Sequence, residues 1–529
     1  MSSTLSTLAV ATASIALIHY FIIHPLFLSP LSRIPGPKAF ALTKWRLAWE
    51  DLTGRRTRTI HALHALYGPV VRIGPNEVHF NSHSALRTIY GAGSGFERTT
   101  FYRMFDVYGK QNLFTFHGTA EHAARKKLLA HAYSKSAIIR GPVAAMVESK
   151  IHDFLALLSP SATTPMEIFT ALHHYSLDAI TAFLYGTPAF GATTCLRGTP
   201  AHRALLDDIL DPARRRLTWF AVHLPALTRW LYAQTGVVIG RLVAPLLPMR
   251  RPATYTGIRA HALRAMRAYA AAAAAARGAA KGSIVARLWE VREGPAAGGG
   301  GGLGDLDVAS ECADHLLAGI DTTSDTLMFL VWALSRPENA GVQRKLVEEC
   351  RALGEGAVTA RGAVSVEAGD RMAFLEAVVR ETLRLFAPLP ASEPRTCLVD
   401  VVVDGYVIPG GTVCAMAPFS LHRNGDVFAE PERWDPERWL RGDEKTLAEM
   451  KKWYWPFSSG GRMCIGMHLA LAEMALVPSI YRKYSTRIKP GFEDISPGIT
   501  SRFEVFGDDA LPKTDEHTCW IEFVPHDAQ

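Results

Sequence analysis

Phe457-Ser-Ser-Gly-Gly-Arg-Met-Cys-Ile-Gly466 is the stretch whose reading decides this chain, and an apolar run, Met467 to Val477, follows it at once. A single Cys stands between glycines, with Arg462 two residues before it and Phe457 seven before it. That is the arrangement a buried thiolate ligand to a metal needs. Gly460 and Gly466 can adopt backbone conformations closed to other residues and bring N–H groups close to sulfur. Those N–H groups and the start of the following helix favour negative charge on Cys464. Phe457 would shield the site from water, and Arg462 would face an anionic part of whatever the sulfur holds. The competing reading, a small core Cys in a glycine-rich turn, explains Cys464 alone but not the five spaced positions together.

Upstream, residues 305 to 335 read as one helix closed by Pro337, with Gly304 or Asp305 as N-cap. At about 1.5 Å per residue it would span roughly 45 Å, the length of a central helix crossing a large body. It contains Ala318-Gly-Ile-Asp-Thr-Thr323. Gly costs about 1 kcal/mol relative to Ala in a helix interior, so small residues followed by an acid and a hydroxyl ask for a reason. They would leave room for a flat ligand and dioxygen, while Asp321 and Thr322 could relay protons. In Glu381-Thr-Leu-Arg384 the acid and base are neighbours on one helix face. Most such pairs are exposed and worth a few tenths of a kcal/mol. Here Pro388 follows, and Pro436-Glu-Arg438-Trp lies some fifty residues on.

Phe-x-x-Gly-x-Arg-x-Cys-x-Gly resembles the haem-ligand loop of the cytochrome P-450 family, and the other motifs stand in that family's order. The resemblance implies that Cys464 is the axial thiolate of haem b. It gives Thr322 the proton network beside dioxygen and Asp321 proton delivery. It implies that Glu381, Arg384 and Arg438 form a buried network supporting the Cys loop, costly to break singly at about 3–5 kcal/mol. By position, Arg395, His122 and Lys126 resemble haem-propionate ligands. The last two depart from the family's usual Trp and Arg, and Lys lacks the guanidinium fork; Arg125 is the neighbouring candidate. Leu389 to Glu393 and a loop at Gly498 to Gly507 would line the pocket. The expected fold is mainly α with a small β-rich subdomain.

The remaining features set the context. With 529 residues, 48% hydrophobic and 20% charged, the chain can bury a large core. Seven Cys without Cys-x-x-Cys spacing imply a reducing compartment rather than a disulfide framework. The net charge of +7 is dispersed, which argues against nucleic acid and suits an anionic membrane or an acidic partner. Leu5 to Leu28 is long and apolar enough to cross a bilayer. A cleaved signal peptide is the alternative, but Arg33, Lys38, Lys44 and Arg46 all follow the run, which favours an anchor with the downstream side cytosolic. Arg33-Ile-Pro-Gly-Pro37 would then be a stiff turn setting the angle of the body, like the proline-rich hinge of microsomal family members. The expectation is an anchor over 1–30 and a catalytic domain over 31–529 at the endoplasmic reticulum membrane.

Val70 to Ile73 and Glu77 to Phe80 read as a hairpin, Phe96 to Phe116 as an aromatic loop over a pocket, and Ala270 to Ala276 as a strong helix former. The Gly-rich tract 294–304 lacks the Lys-Ser/Thr of a phosphate loop and reads as a linker. The implied activity is monooxygenation of a small apolar organic substrate with O₂ and electrons from NADPH–cytochrome P-450 reductase. The hinge and the region around His122 most resemble filamentous-fungal members, many of which serve secondary metabolism. Two alternatives remain: haem-thiolate coupling, dehydration or isomerisation without oxygen insertion, and a non-catalytic haem sensor or carrier.

Overall fold

The computed structural model describes residues 2–158, 164–207, 213–233, 256–293, 302–502 and 504–526; most of the Gly-rich tract lies outside them. Helices make the bulk of the body. The six that position the cavity are α1 (Thr119–Leu129), α2 (Ile168–Tyr185), α3 (Ala213–His223), α4 (Asp305–Ser335), α5 (Ala373–Leu385) and α6 (Met467–Glu473). α4 has the bounds its pattern implied, and Asp307 accepts the Gly304 N–H at 3.0 Å to close its first turn. Its second half, from Thr323 to Ser335, is buried throughout, which is why Leu327 to Leu334 is apolar on every side.

α2 packs along α4. A Cβ on Gly319 would lie 2.5 Å from Ile180 of α2. That glycine is therefore required by the approach of two helices as well as lining the cavity, so a second constraint joins the ligand room its motif suggested.

The principal sheet is built from β1 (Val70–Gly74), β2 (Glu77–Phe80), β3 (Phe96–Arg98), β4 (Arg395–Cys397) and β5 (Val413–Ala415), in the order β1-β2-β5-β4-β3. β1 and β2 form the expected edge hairpin. At the other edge Arg98 of β3 stands directly opposite Arg395 of β4. Like charges facing across a ladder destabilise it unless something compensates. A separate hairpin, Val401–Val403 with Tyr406–Ile408, turns through Asp404 and Gly405, both at positive φ.

Two local expectations change. The alanine run does not stay helical: the helix Thr256–Ala271 ends there, and a new turn begins at Ala274. Arg277 folds back to donate to the Tyr269 and Ala270 carbonyls at 3.0 and 2.7 Å, satisfying the ends that propensity alone would have extended.

The second change concerns the N-terminus. Ser6–Leu28 is the one helix among the described residues long and apolar enough to cross a membrane, and it is exposed from Ser6 to His24. The prolines do not set its angle alone. Pro25 is buried, and Arg72 of β1 donates to its carbonyl at 2.6 Å while the Arg72 backbone N–H donates to Pro35 at 2.8 Å. Gly36, at φ +151°, lets this happen, since a Cβ there would lie 2.5 Å from the Arg72 carbonyl oxygen.

α3 crosses to the N-terminal part of the body. Trp219 Nε1 donates to Ala48 O at 2.8 Å, and His223 Nε2 meets Asp51 at 2.8 Å.

Candidate haem-thiolate site

A cavity of about 350 Å³ lies between α4 and the loop that carries Cys464. The loop is built by Gly460, whose φ of +61° is a glycine conformation and whose Cβ would sit 2.4 Å from the Tyr90 carbonyl oxygen. Gly466 differs from expectation. Its φ is −79° and a Cβ would be 3.9 Å from Cys464 Sγ, so no backbone strain requires glycine there. What it contributes is its N–H.

The Cys464 N–H donates to Phe457 O at 2.9 Å, which closes the loop. Cys464 is exposed, and it lines the cavity. Burial pushes the thiol pKa up; the Gly466 and Met467 N–H groups and Lys126 oppose this and favour the anion. Phe457 lines the cavity beside the sulfur.

Around this opening the structure concentrates cations. Arg98, Arg462 and His122 line the cavity. Burial above all lowers Arg98 to about 10, Arg462 to about 9 and His122 to about 3; the positive charge of Arg395 adds to it for Arg98, that of Arg98 and Arg395 for Arg462, and that of Arg462 and Arg98 for His122. Arg462 also pins the preceding loop, donating to the carbonyls of Phe116, His117 and Gly118 at 2.8, 2.8 and 2.9 Å.

Arg395 is turned elsewhere. It donates to Tyr102 Oη at 2.7 Å, pairs with Glu393 at 3.3 Å, and does not line the cavity, because those two partners stand in front of it. Lys126 likewise reaches away, donating to the Gly461 and Met463 carbonyls at 3.0 and 2.8 Å. A compact ammonium satisfies itself on backbone where a forked guanidinium would extend. Arg125 is buried against Glu311 and so is not a candidate for the cavity rim.

Arg98 was missed by the sequence reading. It sits inside the aromatic segment over the pocket, stacked on Tyr102 and Phe114 at 4.6 Å, and nothing local distinguishes it from an ordinary strand Arg. Its Nε is a buried N–H with no partner among the described residues.

That orphan donor, the facing Arg98–Arg395 pair and the depressed Arg462 together call for a dianionic group beside the thiolate. Haem, with two carboxylates and an iron for the sulfur, fits the donor set; Arg98, Arg462 and neutral His122 are the cavity-lining groups that could hold its carboxylates.

On the opposite wall α4 presents Asp314, Ala318 and Thr322 at i, i+4 and i+8, all lining the cavity. The Thr322 hydroxyl donates to Ala318 O at 2.7 Å, leaving its oxygen lone pairs to accept a proton donor from the cavity. Asp321 points the other way. It does not line the cavity, and its carboxylate lies 3.9 Å from His173 Nε2, with Asp325 3.8 Å from the same nitrogen. Successive helix residues are rotated by about 100°, so Asp321 and Thr322 cannot share a face.

Glu381, Arg384 and Arg438 come together without solvent. Glu381 and Arg384 are both fully buried, and the carboxylate accepts five N–H groups. They come from Arg384 Nε and Nη2 at 2.9 and 2.8 Å, Arg438 Nε at 3.0 Å, the Asp435 backbone at 2.9 Å and Trp439 Nε1 at 3.0 Å. His422 continues the network. Its Nδ1 meets Arg384 O at 2.9 Å, and the Trp455 backbone N–H donates to its Nε2 at 2.8 Å, two residues before Phe457. Burial and Arg384 lower it to about 3, so it is neutral and carries its proton on Nδ1.

Comparison with known proteins agrees with this geometry. A family model described as Cytochrome P450 matches residues 287–496, the span from α4 through the Cys loop. The Aspergillus parasiticus cytochrome P450 monooxygenase aflV is 30% identical over 478 residues, 87% of this chain and 85% of that protein. The chain belongs to the cytochrome P450 family. The Emericella nidulans cytochrome P450 monooxygenase stcB is 29% identical over 470 residues, covering 86% of this P450 and 82% of its relative. The Aspergillus hancockii cytochrome P450 monooxygenase hkm5 is 28% identical over 470 residues. As a cytochrome P450 the protein is an oxidoreductase, and these relatives are fungal monooxygenases.

Proposed function

We propose that this cytochrome P450 binds haem b through Cys464 and oxidises a small apolar organic molecule in a fungal secondary-metabolite pathway, drawing electrons from NADPH–cytochrome P450 reductase. Bound haem supplies the dioxygen-activating centre of the family. The chain supplies the rest. Gly466 and Met467 hold negative charge on the sulfur; Arg98, Arg462 and His122 receive the haem carboxylates. Phe101, Phe105 and Leu113 keep water from the distal wall. Thr322, with its own proton committed to Ala318, accepts one from the cavity side and so orders a proton donor beside the dioxygen site. Asp321, on the other face of α4 near His173, is placed to exchange protons with the interior rather than to touch substrate. Residues 1–30 serve as a membrane anchor, and 31–529 form a catalytic domain on the cytosolic face of the endoplasmic reticulum.

The observation that carries the reading is the coincidence of one open thiol, backbone N–H groups directed to it, and an unpartnered buried Arg98 donor on the same cavity. Cys464→Ala tests it. The wild type should show the reduced carbon monoxide difference band of a haem thiolate and the variant should not. A variant that keeps the band would move the ligand to another Cys.

A further inference from the structure

Helix α4 carries, one to three turns before Thr322, three ionisable side chains that monooxygenation does not use: Glu311, Asp314 and His315, whose ligand-type atoms lie within 4.8 Å of one another. Two of them are fully committed. Glu311 pairs with Arg125 and accepts the Leu113 N–H at 3.1 Å and His315 Nε2 at 3.2 Å. His315 Nδ1 meets Tyr133 Oη at 2.5 Å. The imidazole is held in its charged form by Glu311, against burial, and Glu311 is held as an anion by His315 and Arg125, also against burial. A buried Arg inside the cluster excludes a divalent cation, whose charge it already supplies.

Asp314 is the member left over. It lines the main cavity, and it also lines a second cavity of about 20 Å³ with Phe105, Ile258 and Arg259, roomy enough for a single water. The charged groups that face it are Glu311 and His315 on its own helix, Arg98 from β3 and Arg259 beside the small cavity; the Phe114 backbone N–H also approaches it. Burial, together with the Glu311 anion, pushes its carboxyl up to about 7. Such a group offers an O–H donor and a carbonyl acceptor in one place.

Phe101, Phe105, Leu113 and Ile180 give the wall near it an apolar surface; of the polar groups there, His315 has both ring nitrogens committed to Tyr133 and Glu311, Arg98 donates to the Leu113 carbonyl, and Thr218 adds one hydroxyl. An oxygen atom of a substrate entering this space finds few partners there that are not already turned to the haem side or to backbone. We infer that Asp314 is the substrate-orienting residue of this cavity, and that it selects an uncharged, largely apolar molecule bearing a hydroxyl or carbonyl oxygen remote from the carbon to be oxidised.

This rests on reading the cavity as the haem-bearing substrate site. Asp314 and Thr322 are eight residues apart on one face, so about 12 Å along the helix separates the anchored oxygen from the oxygen-activating end. The molecule must therefore be elongated and rigid enough to hold both ends at once.

Equilibrium dialysis of the holoenzyme with biphenyl, 4-hydroxybiphenyl and 4-biphenylcarboxylate tests this without turnover. The wild type should bind the phenol about tenfold more tightly than the hydrocarbon, the equivalent of about 1.4 kcal/mol. Asp314→Leu should bring the two to equal affinity, and Asp314→Asn, which keeps a donor and an acceptor, should preserve the preference to within threefold. Equal affinities in the wild type, a preference that survives in Asp314→Leu or is lost in Asp314→Asn, or tightest binding of the carboxylate would each overturn the assignment; the last would give recognition to Arg98 and Arg462. If Asp314→Leu fails to fold, the wild-type series and Asp314→Asn decide the matter. A wild type with the haem-thiolate carbon monoxide band but no preference refutes Asp314 alone, whereas absence of the band refutes the underlying function.

Discussion

Glu381→Gln isolates charge from shape in the network behind the Cys loop. The side chain keeps its volume, and one oxygen can stay where three donors converge, from Arg384 Nη2, Asp435 and Arg438. The new NH₂ must then face Arg384 Nε–H and Trp439 Nε1–H, donor against donor. Two buried donors lose their acceptor at about 1–3 kcal/mol each, and two guanidiniums lose their only carboxylate in the network. The sum falls in the range of about 3–5 kcal/mol for a buried pair broken on one side, a large part of the roughly 5–15 kcal/mol a folded domain possesses.

Trp439→Phe is the internal scale, since it removes one of the five donors and should cost about 1 kcal/mol. Pulse proteolysis across a urea series measures both, and haem content reports whether the loop still forms. Glu381→Gln should lose at least three times the stability of Trp439→Phe and retain little haem, because Arg384 reaches the loop through His422 and Trp455. A Glu381→Gln protein with full haem and a urea midpoint equal to that of Trp439→Phe would refute the argument that the carboxylate charge holds the loop.

Other predictions use the same holoenzyme. Thr322→Ala should leave haem binding and the carbon monoxide spectrum intact while product formed per NADPH falls about tenfold and hydrogen peroxide rises, a loss of about 1.4 kcal/mol in the productive step; unchanged coupling would reduce Thr322 to a helix residue. Stability should also fall in acid. His422 is held near 3 against an ordinary 6.5, so the unfolded chain binds its proton first and stability is lost as pH drops below 6.5. Between pH 6.5 and 5 that amounts to about 2 kcal/mol. His422→Gln should flatten the pH dependence of the urea midpoint by about one proton, and an unchanged slope would show that His422 is not the neutral link.

Legibility in the sequence followed the range of the interaction. The Cys loop, each end of α4, the Val70–Phe80 hairpin and Glu381–Arg384 are written in residues within ten positions of one another, so spacing was enough. Gly319 shows where spacing was incomplete: its motif suggested ligand room, and it does line the cavity, but the contact with Ile180 is a second constraint that only the packed structure brings near. Arg395 and Arg98 differ in what local sequence could show. Position along the chain pointed to Arg395, but Tyr102 and Glu393 capture it, while its cross-strand neighbour Arg98 has the unpartnered donor. Asp314 was visible only as an acid in a helix; its bearing became apparent once Ala318 and Thr322 were seen to share its face.

The convergence of Pro25 and Pro35 on Arg72 couples the apolar helix mechanically to the body. A body on a loose tether would sample every tilt. Here two points ten residues apart are bonded to one residue within a sheet, so torsion applied to the helix passes directly into β1. In the bilayer setting proposed above the helix would act as a keel: lipid thickness could change how deep the protein rides, but its heading would be set by the sheet.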